Sequence, residues 1–199
     1  MSITVEDRAN TLLELLWLRE AYELRPRGDG LPPLLSDTPA TVQDAAVSAG
    51  TRDEWEVEWP LIWRDAVAHL GQDRDPRLFD EVRATADGST ERADLLRQLI
   101  GPTWRDRFGD SAFDDASHDQ WFQRGMDAHR AAMPTRLEDH PEHRDLPALI
   151  PAWRAGLTKI VTIPCRGEFT HRIGENALLM TASTRENSDS YRRVLGTFV

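Results

Sequence analysis

Apolar positions crowd the start of the chain. Leu12, Leu13, Leu15, Leu16, Trp17 and Leu18 leave only Glu14 between them. A helix is predicted here, capped by Thr4, with Glu6 and Asp7 against its dipole, and stopped by Pro26, Gly28 and Gly30. With so little polar face it must sit inside the core or against a partner, so homodimerisation through this first helix is one expectation. After a Pro/Gly-rich loop over 26–40, Thr41 opens a short helix over 42–49 that Gly50 closes.

The next stretch carries two periods at once. Trp55, Val57 and Trp59 alternate with Glu54, Glu56 and Glu58, which is a strand pattern, while Trp55, Trp59 and Trp63 recur every four residues, which is a helical one. The tryptophan spacing favours helix. Pro60 suits the first turn of a helix over 61–70, striped by Ile62, Trp63, Ala66, Val67 and Leu70.

Further helices are predicted from Asp75 to Gly88, from Ser89 to Gly101-Pro102, around Trp104, and from Ser117 to Met133, where Pro134 stops the last. A polar loop over 134–146 precedes a short apolar helix over 146–157. The pattern then turns to strands. Lys159 to Cys165 is β-branched, Phe169, His171 and Ile173 alternate with Glu168, Thr170 and Arg172, and Ala177 to Thr184 is apolar, with Gly167 and Gly174 as turns. This predicts an α+β fold in a single domain over 1–199. The helical part covers about 1–157. A three-stranded antiparallel meander with a terminal helix covers about 158–199.

Composition narrows the class. The 199 residues carry 24 Lys+Arg against 34 Asp+Glu, a formal charge of -10, which disfavours nucleic acid as a partner. Lys159 is the only lysine, a bias of GC-rich bacterial genomes. Cys165 is the only cysteine, so no internal disulfide forms. No basic-then-apolar leader opens the chain and no apolar run is long enough for a bilayer, so a cytoplasmic protein without a membrane partner is expected.

Five constellations could carry chemistry. Residues 41–50 resemble the start of a helix-turn-helix, but the segment in the recognition position, Arg52 to Glu58, would turn four acids toward phosphate. His140 and His143, among Glu138, Asp139, Glu142 and Asp145, are a weak metal candidate that reads better as a solvated acidic loop. His118 and His129 share a helix face three turns apart, too far for one ion. A Cys165–His171 dyad fails in the hairpin register, because an odd offset points the two to opposite faces. Glu168, Thr170 and Arg172, with Arg166 at the turn, can present a polar strand face to a peptide carboxylate, a phosphate or another protein. Trp55 and Trp59, rimmed by Glu54, Glu56 and Glu58, are an aromatic platform for a basic partner.

No phosphate loop, nucleophile elbow or dinucleotide fingerprint is present, and no cofactor is implied. The expected function is an acidic, cytoplasmic, bacterial interaction or accessory protein of the immunity or antitoxin kind, without its own catalysis. The alternative is a small-molecule-binding protein or hydrolase whose site lies between the helical body and the C-terminal strands, with Arg166, Glu168, His171 and Arg172 around it.

Overall fold

Strands from the two ends of the chain meet in one sheet. The computed structural model describes residues 2–42, 47–72 and 75–198. Strand β1 (Thr4–Glu6) lies parallel to β2 (Lys159–Ile163), β2 lies parallel to β4 (Ala177–Thr181), and β3 (Thr170–Ile173) runs antiparallel to β4 at the far edge, giving the order β1-β2-β4-β3. The mixed helical and C-terminal sheet architecture is the predicted one, with a fourth strand added. The antiparallel meander is not. β4 inserts between β2 and β3, and β2 pairs with it in parallel, Ile160 opposite Leu178. The physical reason lies in the composition of β2 and β4. Both are near-continuous apolar runs, as strands covered on two faces must be, and only β3 alternates.

Helices cover both faces. Val161, Ile163, Leu179 and Ile173 point into a larger core shared with α1 (Asn10–Ala21) and α2 (Ala49–Leu70). Ile160, Leu178 and Met180, one residue out of phase, point into a second core. That core is closed by Leu149 and Ala152 of α8 (Leu146–Arg154) and by Tyr191 and Leu195 of α10 (Ser188–Gly196).

The chain start departs from expectation. Thr4 is a strand residue, its N–H bonded to the Thr158 carbonyl, and α1 begins only at Asn10 without a side-chain cap. The apolar turns 12–18 are buried within one chain, so this helix offers no apolar face to a second copy. Arg19 is buried in the same helix, its guanidinium donating to the Pro32 and Pro33 carbonyls and so tying the proline loop to the core.

α2 absorbs both the ambiguous segment and the helix predicted after Pro60. Ser48 caps it, accepting from the Thr51 N–H, so Ala49 and Gly50 open this helix rather than closing an earlier one. Residues 43–46, central to the short helix predicted over 42–49 and to the helix-turn-helix reading, lie outside the described residues.

The helical period decides the tryptophans. Trp55 is 6% exposed and Trp59 fully buried, so the expected exposed platform does not exist. Trp59 stacks on Trp63 at 5.3 Å and donates from Nε1 to the Leu15 carbonyl at 2.8 Å, joining α2 to α1.

Beyond α2, α3 (Leu78–Ala84) and α4 (Thr90–Ile100) form a peripheral hairpin whose one buried residue, Val82, belongs to neither core. α5 (Trp104–Phe108) and α6 (Ala116–Ala132) bring Trp104 and Trp121 into the larger core. Short α7 (Pro141–Arg144) leads into α8, and α9 (Ala182–Glu186) follows β4 directly. Among the described residues, no helix is long and apolar enough to cross a membrane.

Candidate ligand cleft and the polar cluster beside the sheet

The free edge of the sheet and α2 enclose a cleft of about 350 Å³. Its apolar wall is Trp63 and Val67 from α2, Ile173 from β3, Phe169 just before that strand, Leu179 from β4 and Leu31 from the proline loop. His171, Arg172, Arg64 and Asp29 are its ionisable lining. This is the size of a small-ligand site, and it has the usual makeup of apolar walls with a few polar groups.

Local chemistry explains why the cleft exists. His171 and Ile173 of β3, with Phe169 just before it, fall on one face by the alternation read from the sequence, and that face is turned to α2. Gly71, at the end of α2, lets the helix close on the strand. A Cβ there would stand 2.4 Å from Ile173 Cγ2 and 3.3 Å from Ile173 Cβ. Its φ of -78° is ordinary, so the glycine is needed for space rather than for conformation. Gly30, at φ +69°, supplies the left-handed turn of the loop on the other wall.

The cleft unites only part of the expected site. His171 is exposed at its mouth. Arg172 lies with its guanidinium 4.2 Å from the Phe198 ring. Arg166 is not in the lining. Its Nε donates to the Leu35 carbonyl at 2.8 Å and its Nη2 to Thr38 Oγ1 at 2.7 Å, holding down the proline loop. Glu168 is engaged elsewhere too, accepting from Ser190 and from Arg193 of α10, and those bonds hold its carboxyl below the usual range. Glu54 is exposed, Glu56 accepts the Arg25 N–H, and Glu58 pairs with Arg107 at 2.8 Å, so the three acids form no shared surface with the tryptophans.

The remaining candidates dissolve into structure. Cys165 is buried at the end of β2, bridged to Leu35, and β4 separates its strand from that of His171. Burial pushes its thiol up to about 12, far from a nucleophile's range. His118 sits in an aromatic cage, 4.8 Å from Trp17 and 4.9 Å from Phe122. His143 is exposed on α7 and His140 precedes it. Among the described residues no three His, Cys, Asp or Glu side chains come together to hold a metal.

A polar cluster that the sequence did not announce lies at the carboxyl ends of β1 and β2. Arg185 of α9 makes a two-point ion pair with Glu142 of α7, both bonds 2.7 Å, and a third bond of 3.1 Å to Asp7, which also accepts from Thr162. Tyr191 donates to Glu142. Burial pushes the Glu142 carboxyl up, but the bonds and charge of Arg185 outweigh it and hold it below the usual range. Burial likewise pushes up the Tyr191 hydroxyl. Next to this, the fully buried Asp145 accepts from Ser188, Arg144 and Arg192 and is held low against its burial. Each carboxylate here is matched by a guanidinium, so the cluster is a clamp between α7, α8, α9 and α10.

Sequence reading also missed Leu31, Leu61, Trp63 and Val67 as site residues. Trp63 and Val67 were legible only as part of the core stripe. The signal for the flank was the row Leu61, Arg64 and Ala68, three and four residues apart, which stays exposed beside that stripe.

No protein-family model, curated protein or solved structure matches the chain. Fold and site together define a small mixed-sheet protein, covered by helices on both faces, with an apolar cleft at its antiparallel edge.

Proposed function

We propose that the protein binds a small, mainly apolar ligand in the cleft between α2 and β3. The carrying observation is the cleft itself, about 350 Å³ between Trp63, Val67, Phe169 and Ile173, with Arg64, His171 and Asp29 as the polar side chains of its lining; the Arg172 guanidinium lies over Phe198 on the opposite face of the sheet. The setting we attach to this reading is a bacterial cytoplasm, on the arginine-rich composition and the single buried cysteine.

Titration with 1-anilinonaphthalene-8-sulfonate, an apolar anion, tests it. Saturable binding is expected in the wild type. Ala68→Trp, which fills the cleft from an exposed helical position, should abolish it. Arg172→Gln, on the opposite face of the sheet, should leave it unchanged. Absence of binding, or binding indifferent to Ala68→Trp, would sink the proposal.

The overall acidity supports a second reading, an accessory protein held by a basic partner. Recovery of no stoichiometric partner from native lysate at low salt would count against that one.

A further inference from the structure

β3 is an edge strand, and its hydrogen-bonding phase can be read from one bond. The Thr181 N–H donates to the Phe169 carbonyl at 3.2 Å, and the register sets Thr170 opposite Met180. In an antiparallel ladder, bonded and non-bonded pairs alternate. Phe169, His171 and Ile173 therefore direct their backbone groups to β4. Thr170 and Arg172 direct theirs outward, where, among the described residues, the sheet has no further strand. Both residues are exposed.

This unpaired edge runs along the mouth of the cleft. A strand laid beside β3, about 4.8 Å away, would alternate its own side chains across the sheet. Every second one would face α2, the side on which the cleft opens. The intervening ones would lie on the Arg172 face.

We infer that the ligand of the cleft is an extended peptide that adds a strand to β3, seating one apolar side chain against Trp63 and Val67 and setting an acidic neighbour toward Arg172. Resting on the reading of the cleft as the ligand site, this inference names the ligand class. Three features support the occupant: outward N–H and C=O groups at Thr170 and Arg172, an apolar recess on the α2 side of that edge, and the exposed Arg172 guanidinium on the other side of the same edge. Main-chain bonds would supply affinity and the recess specificity, as in other cases of strand addition.

A random heptapeptide display library, selected on the wild type and counter-selected on Ala68→Trp, is the test. Enriched peptides should place an apolar residue next to Asp or Glu and lose roughly threefold to tenfold in affinity on Arg172→Gln. N-methylation of the alternate amides that face β3 should cost at least about tenfold, and methylation of the other set much less. Indifference to which set is methylated overturns the strand addition. No enrichment, with the naphthalene sulfonate still bound in the cleft, overturns the peptide and leaves the cleft reading standing. Failure of both probes overturns both.

Discussion

Replacing Gly71 by alanine isolates the contact that shapes the cleft. The added methyl would lie 2.4 Å from Ile173 Cγ2, against an ordinary carbon–carbon contact of about 3.5–4.0 Å, so helix and strand must separate by roughly 1 Å or more. Ile173 cannot swing aside. It is branched at Cβ, only 3% exposed, and its own Cβ is already 3.3 Å from the new atom. Overpacking of this kind costs about 1–3 kcal/mol. The backbone at Gly71 is helical, φ -78° and ψ -10°, so alanine would by itself stabilise by about 0.4–1 kcal/mol. The net expectation is a loss of roughly 1–2 kcal/mol. At 199 residues this lowers Tm by about 2–8 °C in a thermal melt followed by tryptophan fluorescence. Ile173→Ala removes the opposing atom. It should cost about 2–5 kcal/mol alone, yet in that background Gly71→Ala should be neutral or stabilising. A raised Tm for Gly71→Ala in the wild-type background would refute the close approach of α2 to β3.

Other perturbations probe the clamp and the cores. Arg185→Leu strands the Glu142 and Asp7 carboxylates and should cost roughly 2–4 kcal/mol by urea denaturation, somewhat below the figure for a fully buried pair because the site is partly wetted; Arg185→Leu/Glu142→Leu should recover part of that loss. Glu142 and Asp145 are both held below their ordinary values, so their stabilisation is complete above the unfolded carboxylate range of about pH 4 and is lost as pH falls through their lowered folded values. The urea midpoint should therefore drop on acidification below about pH 4, and less so in Glu142→Gln. Cys165 should resist iodoacetamide at pH 8 in the folded protein and react once urea unfolds it; rapid native labelling would contradict its burial. Trp59→Phe removes the bond to the Leu15 carbonyl between α1 and α2 and should cost about 1–3 kcal/mol, read as a lowered denaturation midpoint.

Local periodicity told much of this fold before any tertiary information. The helical stripe of Trp63, Val67 and Leu70, the alternation of Phe169, His171 and Ile173, and the glycine turns at Gly167 and Gly174 are consequences of side-chain spacing alone, and the structure keeps them. Even the cleft is partly visible in the sequence, since the alternation of β3 sets His171 on the face that meets the helices. Spacing could not tell which strands pair. The apolar runs of β2 and β4 are compatible with a meander or with parallel burial. The choice falls to the helices that cover both faces, α1 and α2 on one and α8 and α10 on the other. Nor could it show that Thr4–Glu6 joins the sheet, because its partner strand lies more than 150 residues away. The tryptophans teach the same lesson. Two periods fitted Glu54 to Trp59, and only the 22-residue continuity of α2 selected the helical one, turning Trp55 and Trp59 inward. The clamp of Asp7, Glu142, Arg185 and Tyr191 left no motif, since charges from four separate elements meet only when the cores have brought their backbones together. What neighbours in sequence dictate is which face is apolar; what covers that face depends on contacts whose partners are distant along the chain.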